Sequence, residues 1–133
     1  MQVSNEIGFM LDAALERGVA RVLLGGHPGK LAKVAAGVMQ THSHTADGRR
    51  EAIVTQLALM SAPVELMRGV YEGVTTDVAI RLIDETGYTG VWDKIAEAAK
   101  RYCTLRVRNE IRIDVMVVQN DGRILGQCME EEP

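Results

Sequence analysis

The chain has 133 residues, 47% of them hydrophobic and 25% charged, with a net charge of −3. That is the make-up of one ordinary globular domain, large enough to bury a core without disulfides or metal staples. One Trp, one Phe and three Tyr leave little for base stacking, and the acidic balance suits no phosphate backbone, so both argue against nucleic acid.

No apolar run approaches a membrane span, and no leader pattern opens the sequence. Cys103 and Cys128 form no C-x-x-C pair and read as free thiols. The expectation is a single cytoplasmic domain over residues 1–133, with no membrane partner.

In chain order, residues 4–17 read as a helix. Ser4 can cap it, Ile7, Met10, Leu11, Ala14 and Leu15 share one face, and Gly18 stops it. Residues 19–24 are a short apolar run bounded by glycines, the mark of a buried strand. A glycine loop follows, then a helix over 30–39 with Leu31, Val34, Ala35 and Val38 inward. A third helix is expected over about 46–61, with Ile53, Leu57 and Met60 inward. Arg49 and Arg50 fall in its first turn, the wrong end for the helix dipole, and Glu51 partly offsets them.

Pro63 opens a short helix to about residue 71. Thr75 or Thr76 caps another to about 86, which Gly87 ends. The next, from 91 to about 102, carries Trp92, Ile95, Ala96 and Ala99 as its core stripe. Lys100, Arg101, Arg106, Arg108 and Arg112 form a loose basic run, read as solvated surface or a face for a carboxylate-rich partner. Ile111, Ile113, Val115 and Val117 then alternate with period two, Asn120-Asp121-Gly122 is a hairpin turn, and 123–128 returns. The E-E-E-P tail reads as a frayed end. The expected fold is α/β: a three-layer-like domain with a central mostly parallel sheet, flanking helices and a C-terminal β-hairpin.

One stretch, residues 23–51, concentrates the chemistry. It holds all three histidines (His27, His42 and His44) and four basic residues, Lys30, Lys33, Arg49 and Arg50, against Asp47 and Glu51. A locally positive site in an acidic chain is a seat for a small anion. Gly25, Gly26 and Gly29 let a ligand approach the main chain, Pro28 stiffens the loop, and the helix that follows opens with unpaired N–H groups. The same glycines also serve a plain strand-to-helix turn. Walker A is absent, since Leu24 and Leu31 stand where its glycine and hydroxyl belong; a G-x-G-x-x-G fingerprint is absent too. In T-H-S-H-T-A-D, His42, His44 and Asp47 with His27 suit three roles: metal ligands, acid/base groups, or a polar loop with Thr45 and Asp47 as helix caps.

G-H-P-G-K-L-A-K-V-A-A-G followed by T-H-S-H-T-A-D-G-R-R-E resembles the hallmark region of the CbiD family, the cobalt-precorrin-5B C1-methyltransferases of anaerobic cobalamin biosynthesis. S-N-E-I-G-F-M-L-D at 4–12 and T-T-D at 75–77 fit the same family in order and spacing. Glu6 departs from it, where an aromatic residue is expected. Family members are also longer, and this chain corresponds to their C-terminal part.

The resemblance implies methyl transfer from S-adenosylmethionine to a cobalt-precorrin intermediate, with cobalt present only within that corrinoid substrate and no metal of the protein's own. It implies substrate contacts at Gly25, Gly26, Gly29, Lys30, Thr41, Ser43, Asp47, Arg49 and Arg50, with Ser4 and Asn5 nearby. His27, His42 and His44 are then candidate proton acceptors. It implies that a missing N-terminal domain completes the site and that the chain alone is inactive; homo-oligomerisation is left open. Two other readings rest on the same residues: a non-catalytic corrinoid- or anion-binding module, and a metal-dependent hydrolase using the His/Asp cluster.

Overall fold

A computed structural model describes residues 6–39, 48–73 and 75–130. Six helices and three strands follow one another as α1 (Ile7–Glu16), β1 (Arg21–Gly26), α2 (Pro28–Ala35), α3 (Arg49–Leu59), α4 (Val64–Glu72), α5 (Thr76–Thr86), α6 (Val91–Arg106), β2 (Arg112–Val118) and β3 (Ile124–Cys128). The α/β class and the C-terminal hairpin are as the sequence leads one to expect.

Helix α1 buries Ile7, Leu11 and Ala14, spaced one and two turns apart on one face. It stops where Gly18 takes φ 69, in the left-handed region. The expected cap, Ser4, lies outside the described residues. The Ile7 N–H instead donates to the Met39 carbonyl at 3.1 Å, tying the start of α1 to the chain beyond α2.

Strand β1 alternates: Val22 and Leu24 are buried, while Arg21 and Leu23 are exposed. Its extent corrects the sequence reading. The strand runs two residues further than expected, and Gly25 and Gly26 are paired with Met116 and Val117 of β2 rather than forming a loop. A parallel ladder is made by backbone groups, so missing side chains do not end it. Only His27 then separates β1 from α2, and Pro28 takes the first helical position, where its missing N–H has no intrahelical partner to lose.

The sheet has the order β1-β2-β3. Strand β1 lies parallel to β2, with Val22 opposite Ile113 and Leu24 opposite Val115. The β2–β3 pair is antiparallel, with a register shift between Val117 and Val118. Gly122 at φ 87 and the Arg123 N–H donating to Asp121 Oδ1 at 2.9 Å close the hairpin turn.

Helix α6 is the hub of the packing. Trp92, Ile95, Ala96, Ala98, Ala99 and Cys103 are buried on it, and it touches α1, α2, α3, β2 and β3. The small alanines let it lie close to both α2 and the sheet. Its partners on the sheet are Ile113, Val115 and Val117, all buried. Leu23, 41% exposed, belongs to the opposite face of β1.

The first residue of the E-E-E-P tail also corrects an expectation, while residues 131–133 lie outside the described residues. Glu130 is not frayed: its N–H donates to Asp114 Oδ1 at 2.8 Å, and its carboxylate lies 3.1 Å from Lys100 Nζ and 3.5 Å from Arg112 Nε. Asp114 is buried and also accepts from Arg112 Nε at 3.1 Å. So Lys100 and Arg112, expected as solvated cations, hold the strand ends together. Arg106 pairs bidentately with Asp12 at 3.0 and 2.9 Å, joining α6 to α1 at the surface.

Burial alone would raise the Asp114 carboxyl, but the Glu130 N–H and the Arg112 and Lys100 charges outweigh it and hold the group below its ordinary value. A depressed value stabilises the fold above the ordinary carboxylate range, and the contribution is lost as pH falls through the folded-state value. Asp114→Asn is therefore expected to cost about 1–3 kcal/mol at pH 7. Urea melts at stepped pH should show variant and parent converging below about pH 4. A constant gap down to pH 3 would show that the charge is not what matters.

Candidate functional site

Three helices begin close together. Helix α2 starts at His27, whose backbone is extended at φ −62 and ψ 146 and whose Nδ1 accepts the Gly29 N–H at 3.2 Å. Helix α5 starts at Thr75, whose Oγ1 accepts the Val78 N–H at 3.4 Å. Helix α3 starts at Gly48, with φ 151 and no side-chain cap.

Gly29 is where they meet. A Cβ there would stand 3.1 Å from Thr76 Oγ1, 3.3 Å from Arg49 Cδ and 3.6 Å from His27 Nδ1. The absence of a side chain at 29 is what lets α3 and α5 approach the start of α2.

Beside this junction lies a cavity of about 290 Å³. Arg49 and Arg50 of α3 and Thr75 and Thr76 of α5 line it on the side of two helix N-termini. Ile53, Val70 and Ala79 supply its apolar lining, and Glu72 and Gly73 at the end of α4 complete it. Arg50 is held in place: its Nη1 donates to the Tyr71 carbonyl at 2.8 Å, and its guanidinium sits 5.3 Å from the Tyr71 ring centroid. Two full positive charges at the start of α3, where the dipole already favours anions, give this wall a positive potential.

The sequence-predicted residues fall into three groups. His27, Gly29, Arg49 and Arg50 come together at the helix junction. Gly25 and Gly26 end β1 just before it, and a Cβ at Gly25 would meet nothing within 4 Å. Lys30 is half-buried in the first turn of α2. Ser4, Asn5, Thr41, His42, Ser43, His44 and Asp47 lie outside the described residues. The sequence reading passed over Glu72, Gly73 and Thr76; only T-T-D at 75–77 signalled any of them, and that as a cap and a family match. Lys33, counted among the basic residues of the positive stretch, is 3% exposed.

His27 spends Nδ1 on the cap, so in its neutral form the ring proton sits on Nε2 and the ring offers a donor there. Burial pushes the Cys103 thiol up to about 12, so it is a core residue rather than a nucleophile. Among the described residues no group of three or more His, Cys, Asp and Glu could hold a metal ion. No described helix is long and apolar enough to cross a membrane.

Residues 40–129 match the family model for the CbiD C-terminal domain. The chain belongs to the CbiD family. Curated relatives agree. It is 44% identical to the cobalt-precorrin-5B C(1)-methyltransferase of Photorhabdus laumondii over 127 residues, covering 93% of this chain and 34% of that protein. It is 36% identical over 130 residues to the one of Alkaliphilus metalliredigens, covering 98% and 34%. The Salmonella typhimurium protein of the same name is 39% identical over 131 residues. The chain thus spans about a third of the length of these CbiD relatives. No solved structure matches it. The CbiD model begins at residue 40, yet β1 before that point is paired with β2 after it, so the folded unit crosses the boundary of the family match.

Proposed function

We propose that this chain takes part in S-adenosylmethionine-dependent methyl transfer to C1 of cobalt-precorrin-5B in the cytoplasm, as the C-terminal part of a longer enzyme. The relatives' shared name supports the reaction. The single structural observation in its favour is the cavity walled by Arg49, Arg50, Thr75 and Thr76 at converging helix starts. Both reactants carry carboxylates, and guanidinium groups beside helix N-termini grip carboxylates well.

S-adenosylmethionine supplies the methyl group as an electrophile on a sulfonium. The work of the protein is then alignment, holding the attacking carbon, methyl and sulfur in line. Gly25 leaves open space at the end of β1, Gly29 lets the helix starts converge, and the arginines fix the orientation of a bound carboxylate. The proton that leaves the macrocycle needs an acceptor; His42 and His44 are the candidates, with His27 committed to its cap. Cobalt enters only with the substrate.

The reading also holds that the chain alone is inactive and needs the portion its longer relatives carry. Incubation of the 133-residue chain with cobalt-precorrin-5B and labelled S-adenosylmethionine should transfer no label. Addition of the complementary N-terminal portion should restore transfer. Turnover by the chain alone, or none after complementation, contradicts this.

A further inference from the structure

We infer that the cavity between α3, α4 and α5 is a zwitterion site, which binds the α-amino acid head of the methyl donor and not a carboxylate arm of the corrinoid. This rests on the proposed methyl donor for the identity of the ligand, but its logic is electrostatic. The cavity carries both signs of charge. Arg49 and Arg50 stand at the start of α3, and Glu72 is the last residue of α4.

Each of these charges sits at the end of its helix that the dipole disfavours: cations at an N-terminus, an anion at a C-terminus. Arg50 is anchored there by the Tyr71 carbonyl at the end of α4, and all three charges line the same cavity. Departures from local rules that converge on one pocket are the pattern of a ligand site. An α-carboxylate complements the positive charge of the arginine wall, and an α-ammonium complements Glu72 and the negative end of α4.

The hydroxyls fit the same assignment. Thr75 Oγ1 already accepts from the Val78 N–H, so its own proton is available to donate to a carboxylate. Ile53, Val70 and Ala79 offer apolar surface to the methylenes of an amino acid side chain. The volume, about 290 Å³, is at the small end for ligand pockets; it suits an amino acid portion and is too small for a macrocycle. A corrinoid acetate or propionate arm could pair with the arginines but has no cation to offer Glu72, so only a zwitterion uses both signs of charge in the cavity.

The test is calorimetric titration of the 133-residue chain with S-adenosylhomocysteine, its deaminated analogue, its decarboxylated analogue and a cobalt corrinoid acid. S-adenosylhomocysteine is expected to bind, with each single-charge analogue at least tenfold weaker. Glu72→Gln should weaken S-adenosylhomocysteine about tenfold and leave the deaminated analogue unchanged, whereas Arg50→Ala should weaken both. Far-UV circular dichroism checks that Glu72→Gln, an exposed helix-end change, keeps the fold.

Equal binding of S-adenosylhomocysteine and its deaminated analogue overturns the zwitterion site, as does no binding of either. Preference for the corrinoid acid, tightened by Glu72→Gln, also overturns it while the methyltransferase reading stands. Charge-selective binding in a chain that transfers no methyl group after complementation does the reverse.

Discussion

Trp92→Ala is expected to lower the unfolding free energy by about 3–5 kcal/mol. The indole is fully buried on α6, the helix that touches both the other helices and the sheet. Truncation removes the largest side chain of the core and leaves a hole between backbone elements, so the surroundings can collapse only in part. Domains of this size are stable by about 5–15 kcal/mol, so the loss would show plainly in a urea midpoint followed by circular dichroism. Trp92→Phe should cost much less. Trp92 Nε1 is buried with no hydrogen-bond partner among the described residues, and a phenyl ring removes that donor while filling most of the space. A loss under 1 kcal/mol for the alanine variant would mean that α6 is not the centre of the core.

Gly126→Ala should be nearly as damaging for the opposite reason. A Cβ at 126 would lie 2.5 Å from the Trp92 carbonyl carbon and 2.6 Å from the Asp93 nitrogen. Both are backbone atoms in the first turn of α6 and cannot rotate away. The same turn is tied to β3 by the Gln127 N–H donating to Asp93 Oδ1 at 2.9 Å, so strand and helix cannot separate without breaking that bond. Overpacking of this kind costs about 1–3 kcal/mol and sometimes more; backbone on both sides puts this case at the upper end. Gly25→Ala is the natural control, since its Cβ would meet nothing within 4 Å, and its midpoint should move little. If both alanines behave alike, the close approach of β3 to α6 is not rigid.

Much of this was legible in the sequence because it is local. The stripe of Trp92, Ile95, Ala96 and Ala99 and the alternation of Ile113, Val115 and Val117 are periodicities, and both elements formed as expected. Arg49 and Arg50 at a helix start were visible for the same reason. What escaped depended on distant parts of the chain. Gly25 and Gly26 look like a loop until β2 is known to pair with them. Glu130 looks like a loose end until Asp114, Arg112 and Lys100 surround it. Glu72 and Thr76 carry no local mark of a site. They line the cavity because α4 and α5 bring them to Arg49, and because Gly29 leaves room for Thr76.

The parallel pairing of β1 with β2 has a consequence for how the chain assembles. Arg21 lies opposite Arg112, so the pairing closes a loop of about 90 residues, at an entropic cost on the order of 4 kcal/mol before any contact repays it. Helix α6 and strands β2 and β3 are contiguous in sequence and can collapse on one another through near neighbours. Strand β1 is therefore expected to join after that unit, and pulse-labelled hydrogen exchange should protect the β2 and β3 amides before those of β1. On that order the carboxyl end of β1, where His27 caps α2 and Gly29 admits Arg49 and Thr76, takes shape only after the α6–hairpin unit has formed.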